Sequence, residues 1–494
     1  MSGTLAWPRS LARSLLWAFI GAPGLLFAHA FGARYELPLP VWLFVVGGAL
    51  AVTFTFVVVA AFSRNSAERY AAARWDLSKS WFGRFSAHRW TIALLQIAGV
   101  ATLLLIVVAG FLGAKDPNRN IAPTLVWIVW WVGFTYLAML VGNLWPIVNP
   151  WRTLYDLATS RGPSRRQGER QLRSFPAWLG QWPALVGLLV FAWVELVFPL
   201  RATPQVIAWL IVAYSALTWI GMARYGADVW LRQVDPFHQV FEIFSRFAPF
   251  AYSPERGLAL RPHGAGLLAR ESAKVSTAQV AFILAMLAVV LFDGFLASKH
   301  WIALEDAVHA INPKLGDSAW IALHSAGLLA MWLAFLTFYY AACSFARTAA
   351  GGGEPRPTLE YARCFAPTLV PIAIGYHFAH TFSYLLVQGQ SLTFLLSDPL
   401  GLGWNLFGTA DRAIDITIIS TKTAWYLALG AIVVGHGFSV YLAHAAAERL
   451  LKSRADALRA LAPITALMIL FTVISLQILA GPLVRYSGPQ QIII

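Results

Sequence analysis

The chain has 494 residues, of which 58% are hydrophobic, 14% aromatic and only 12% charged. A soluble protein of this length would be several domains with polar surfaces, and this chain has about half the charge density such surfaces carry. Disorder is excluded by the apolar content, and a disulfide-built secreted scaffold by the presence of only two cysteines, Cys343 and Cys364.

What remains is an all-α, polytopic integral membrane bundle. A bilayer-crossing helix needs about 20 mostly apolar residues. Eleven stretches qualify, at about 12–32, 39–62, 90–113, 121–145, 177–199, 204–223, 276–298, 318–342, 366–387, 423–446 and 460–481. They form a single integral membrane domain over 1–494, since no loop is long enough to be a soluble domain. A β-barrel would show short alternating segments instead of continuous apolar runs.

The first stretch has two readings. Arg9 and Arg13 precede an apolar run ending Ala28-His29-Ala30, the parts of a signal peptide, and Pro23-Gly24 would weaken a long helix. It is either a first span or a cleaved leader, which would leave ten spans. Cleavage after Ala28 would expose a new amine beside the His29 imidazole, a pair able to chelate a metal.

The net charge of +14 is an orientation signal. When alternate loops are assigned to opposite sides, 28 of the 37 Lys and Arg fall on one side and none lies inside a span. That side is cytoplasmic by the positive-inside rule. The N-terminus is then inside, the C-terminus is periplasmic, and no nucleic-acid partner is expected. Anionic lipid at the inner leaflet is a secondary partner.

Along the chain, Asn149-Pro150-Trp151 after span four and Asp235-Pro236-Phe237 after span six repeat at an offset of 86 residues. Asn or Asp before Pro is a helix-start signal. The reading is a duplicated hairpin plus interfacial helix, with independent origin as the plainer alternative. The cytoplasmic loop 224–275 packs against the membrane surface. The outer loop 388–422, apolar for a loop, lies in the interface or folds back as a lid.

Ionisable groups inside spans are costly and mark function. Glu195, Asp293 and His324 lie about 9 Å below the outer surface, His380 about 12 Å, and His377 and His436 about 17–20 Å. His377 and His380 share one helix face at i,i+3. With His436 from the next span, and with His29, they are candidate metal ligands for zinc or copper, or haem ligands in the alternative. Asp293 and His324 are the candidate catalytic acid–base residues. The plainer reading of each histidine is a hydrogen bond to a neighbouring helix. Asp398, Asp411 and Asp415 read as solvated or capping carboxylates. Ser325 lacks a nucleophile elbow, and no phosphate-cradling Gly-x-x-x-x-Gly-Lys occurs.

Ala28-His29, the run Tyr35-Glu36-Leu37-Pro38-Leu39-Pro40-Val41-Trp42-Leu43-Phe44, Asn149-Pro150-Trp151-Arg152-Thr153-Leu154, Ala379-His380, Gly435-His436 and Ala443-His444 together resemble a bacterial family of polytopic membrane proteins named for fenitrothion hydrolysis. The resemblance covers most of the chain through short motifs. It implies cleavage of the aryl ester of an organophosphorus triester, a small lipophilic substrate, by an inner-membrane hydrolase. It carries no established catalytic residues. The expected mechanism is metal-dependent, with a bound divalent ion activating water. A transporter or permease, and a copper- or haem-binding membrane subunit, are the competing readings.

Overall fold

The computed structural model describes residues 40–62, 66–161, 173–253, 257–269, 275–351, 356–451 and 453–479. The expected first stretch 12–32 and His29 lie outside the described residues, so neither reading of that segment is tested.

The chain is largely helical. The apolar helices are α1 (Val41–Phe62), α2 (Arg89–Leu112), α3 (Ile121–Leu140), α4 (Trp182–Leu196), α5 (Pro204–Tyr225), α6 (Thr277–Leu296), α7 (Asp317–Ala349), α8 (Val370–Gln388), α9 (Thr421–Leu450) and α10 (Arg454–Leu479). Among the described residues nine helical segments are long and apolar enough to cross a membrane, as expected of a polytopic bundle. Each falls on one of the expected stretches. The stretch 177–199 does not supply such a helix. Residues 177–181 form a turn with Gly180 at φ +45°, and Pro183 opens an α4 of 15 residues. At 1.5 Å per residue that is about 22 Å, short of the roughly 30 Å hydrocarbon core.

Packing follows the apolar pattern. α6 has no charged residue before Asp293, and most of its side chains are buried. It forms the centre, and α4, α7 and α8 pack around it. A capping box starts it: Gln279 N donates to Ser276 Oγ at 3.1 Å, and Ser276 N to Gln279 Oε1 at 3.2 Å. α1 and α2 expose Trp42, Leu50, Phe54, Leu94, Ile97 and Leu104, an outward apolar surface consistent with a lipid-embedded protein. α8 and α9 cross at two glycines. A Cβ on Gly375 would lie 2.7 Å from Ala431 O, and one on Gly435 2.5 Å from Pro371 O.

α3 is unusual in its middle. Residues Thr124–Gly133 are π-helical, a form rare beyond one turn and frequent at functional sites. It carries Trp127, Trp130 and Trp131.

Both expected Asn/Asp–Pro turns form. Asn149 Oδ1 accepts from Arg152 N at 3.1 Å. Asp235 Oδ1 accepts from Phe237 N at 2.9 Å and His238 N at 3.2 Å. The equivalent aromatic residues Trp151 and Phe237 pack edge-on to the same ring, Tyr214, at 4.9 and 5.6 Å. The structure adds a small sheet to an expectation that was purely helical. β1 (Trp75–Asp76), β2 (Phe250–Ser253) and β3 (Gly257–Leu260) run antiparallel in the order β1-β3-β2, with Trp75 and Phe250 both opposite Leu260. Part of the expected interfacial loop 224–275 is therefore tied by strand pairing to residues 75–76.

The loop 388–422 is irregular after a one-turn helix at Ser391–Leu395. Ala114 N donates to Leu400 O at 2.7 Å, and Gln390 is bonded at both ends to the Asp415 backbone. Asp398 caps the turn at Leu402 and Gly403, and Asp415 Oδ1 accepts from Thr417 N at 2.8 Å. These two carboxylates have the capping role expected of them.

Candidate functional site

A polar group forms where α4, α6 and α8 converge. Asp293 projects from the last turn of α6, and its Oδ2 lies 2.5 Å from His380 Nε2 on α8. The neighbouring Gly294 lets α10 approach, since a Cβ there would lie 2.9 Å from Ile478 Cγ2, and the His380 ring is at an ordinary contact distance of 3.8 Å. The Asp293 side chain is 25% exposed and that of His380 18%, so the pair is sheltered but not sealed.

Glu195 joins from α4. Its Oε1 accepts from Trp131 Nε1 at 2.7 Å, and it is electrostatically coupled to Asp293, Arg201 and His380. Arg201 sits in the turn between α4 and α5, where its carbonyl accepts from Trp127 Nε1 at 3.0 Å. Burial pushes the Arg201 guanidinium pKa down, and Asp293 and Glu195 push it back up. Tyr384, one turn beyond His380 on the same helix face, lies within electrostatic range of Glu195, Arg201 and Asp293. The group thus holds two carboxylates, an imidazole, a guanidinium and a phenol within a mostly apolar bundle. Desolvated charges persist only when paired; here His380 faces Asp293, and the Arg201 guanidinium donates to Phe198 O at 3.4 Å.

His377 lies one turn below. It is buried, close to the Val132 backbone, and packed against Tyr136 and Phe244 with ring centroids 5.5 and 6.2 Å away. Its Nε2 has no hydrogen-bond partner. Thr381, next to it on the helix, donates to His377 O at 2.7 Å and is 3.2 Å from the Tyr136 hydroxyl.

The expected residues therefore separate. Asp293 and His380 meet, with His377 beneath. His436 goes elsewhere: its Nδ1 bonds Ile432 O at 2.8 Å, its ring faces Tyr376, and it shares no contact with His377 or His380. Depth matched, but the Gly375–Gly435 crossing turns the ring away. His324 does not join Asp293. Its Nε2 lies 3.2 Å from Glu305 Oε1, its Nδ1 bonds Trp320 O at 2.8 Å, and Glu305 also accepts from Trp301 Nε1 at 2.9 Å. This is a separate group where the amphipathic helix Lys299–Ile311 meets α7. Ser325 accepts from Trp193 Nε1 at 2.7 Å, a packing contact.

Among the described residues no three His, Cys, Asp or Glu side chains are grouped to hold a metal ion. Of the expected ligands, His377, His380 and His436 are not grouped for a metal among the described residues, and His29 lies outside them. Arg201 and Tyr384 were not singled out in the sequence, and Trp131 read there as a core or lipid-facing residue. Tyr384 had a signal in its i,i+4 spacing from His380, whereas Arg201 read only as a loop cation. No family model matches the chain, and no similar curated protein or solved structure was found.

Proposed function

We propose that the protein is a bacterial inner-membrane hydrolase with its Arg-rich loops in the cytoplasm, acting on a small lipophilic ester at the Asp293–His380 pair. The phosphorothioate triester implied by the resemblance, fenitrothion, is the substrate class to test first. The observation that carries the reading is the 2.5 Å contact between Asp293 and His380 in the half of the bundle away from the Arg-rich loops. A neutral triester partitions into the bilayer and reaches such a site sideways.

The chemistry uses the chain's own groups. Water attacks phosphorus, a P–O bond to water forms, and the P–O bond to the aryl group breaks. The Asp293–His380 pair takes up the proton lost by the water. Arg201 and Tyr384 lie on the same group and stabilise negative charge developing on the phosphoryl sulfur or oxygen. The leaving nitrophenolate is stabilised by resonance and departs without a proton. The fold of the loop 388–422 against the start of α3 suits it as the cover of this end of the bundle.

The test is phenolate release from fenitrothion by isolated membranes, with empty-vector membranes and a chelator-treated sample alongside. General-base catalysis contributes about 10²–10⁴-fold. Asp293→Asn and His380→Gln are therefore expected to lower release by that order in normally inserted protein. Full release by either variant removes the pair from the mechanism, and no release by the parent protein removes the hydrolase. Loss of release with chelator would add a metal to the mechanism, for which His29→Ala and His377→Ala are the first ligand variants.

A second reading is a transporter. It is favoured by the paired Asn149 and Asp235 turns, both packed on Tyr214, and by the π-helical stretch in α3, since transporters are built from repeats and broken helices. Ion-gradient-dependent uptake into proteoliposomes that is lost in Asp293→Asn, without any turnover, would select it.

A further inference from the structure

Two segments separated by about 160 residues in the chain build one surface. The short helix Trp81–Ser86 and strand β1 stand directly before α2, which starts at Arg89. The β2–β3 hairpin lies beside them: Leu77 N donates to Leu258 O at 2.9 Å, and the Phe82 and Phe250 rings sit 5.8 Å apart. Phe250 N donates to Val141 O at 3.1 Å, fixing the hairpin to the end of α3. The surface is rigidly made. Ser80 Oγ caps the short helix by accepting from Gly83 N at 3.0 Å, and a Cβ on Gly83 would lie 2.0 Å from Leu77 O.

What this surface presents is aromatic and basic. Trp81 is 75% exposed and Trp90 67%, and Trp75, Phe85 and Tyr252 are exposed as well. Lys79, Arg84 and Arg89 are exposed beside them. Among the described residues none of these three cations forms an ion pair with a carboxylate. Asp76 is the one acid in residues 73–90. An apolar helix of 24 residues leaves directly from this surface, which fixes its height at the membrane boundary. There amphipathic rings settle at the headgroup level and basic side chains meet lipid phosphates.

We propose that this surface is a binding site for the anionic phospholipid headgroups of the inner leaflet, with Lys79 and Arg84 reading the charge and Trp81 and Phe85 entering the acyl boundary. The proposal rests on the orientation given above and not on the hydrolase reading. The full-length protein in neutral detergent micelles is titrated with dioctanoyl phosphatidylglycerol, with dioctanoyl phosphatidylcholine and glycerol phosphate as separate arms. Binding is read from the thermal unfolding midpoint. Phosphatidylglycerol is expected to bind at least about tenfold tighter than phosphatidylcholine, and less tightly as salt rises. Lys79→Gln/Arg84→Gln is expected to weaken phosphatidylglycerol by on the order of 25-fold, at about fivefold per cation. Trp81→Ala/Phe85→Ala is expected to weaken both lipids and keep the preference. Equal binding of the two lipids, an unchanged preference in the charge variant, or an equal response to glycerol phosphate would overturn it. A retained parent midpoint in the absence of lipid shows that the variants are folded.

Discussion

Separating Asp293 from His380 gives the most direct measure of the proposed site. At 2.5 Å, a unit ion pair is worth about 1.7 kcal/mol in bulk water and about 6.6 kcal/mol at an effective dielectric of 20. Both side chains keep some exposure, 25% and 18%, so solvent screens the pair below the upper figure. Glu195 and Arg201 share the field and compensate each other in part. The coupling energy expected from the cycle Asp293→Ala, His380→Ala and the double variant is about 2–4 kcal/mol. Equilibrium unfolding in mixed dodecyl sulfate micelles reads it. Repeating the cycle on a Glu195→Gln background subtracts the third carboxylate. Single effects that add to within about 0.5 kcal/mol would refute the reasoning. They would mean that the two groups are held near each other by packing and do not support one another.

The helix crossing offers a second check. A methyl on Gly435 would sit 2.5 Å from Pro371 O, which is backbone and cannot swing aside, so Gly435→Ala is expected to cost about 1–3 kcal/mol. Gly430→Ala on the same helix meets nothing within 4 Å and should leave unfolding unchanged. Trp131→Phe removes the indole donor to Glu195 and keeps the ring contact with Phe191 at 4.5 Å. Phenolate release should fall, with a changed pH profile, while unfolding shifts by no more than about 1–3 kcal/mol. A pH test applies to the polar face of the repeat. Arg152 Nη1 lies 2.5 Å from Asp228 Oδ1, and that hydrogen bond holds the Asp228 carboxyl below its usual range. A depressed carboxyl contributes stability above its unfolded pKa of about 3.9. The contribution is lost as pH falls through the lower folded value. Arg152→Ala should remove that acid-side loss and leave the neutral-side slope unchanged. An identical acid profile in the variant would show that the pair contributes nothing.

The sequence by itself determined that this chain is largely helical with long apolar helices, consistent with a membrane bundle, because bilayer thickness converts apolar run length directly into helices. It also determined the Asn149 and Asp235 turns, since capping depends on residues two or three positions away. It located Asp293, His380 and His377 as polar groups in an apolar setting, and the i,i+3 spacing placed the two histidines on one helix face. It could not decide which facing groups touch. Depth estimates treat helices as upright cylinders and leave rotation about each axis free. The close crossing at Gly375 and Gly435 sets that rotation for His436 and turns it to Tyr376 and away from His380. His324 was drawn off by Glu305, which arrives on a helix whose docking no local pattern records. α4 fell short of a full span because Gly180 and Pro183 act locally, inside a run whose composition alone looked long enough. The pairing of β1 with a hairpin about 180 residues later, and the aromatic and basic surface it completes, exist only in the tertiary structure, since a two-residue strand has no period to read.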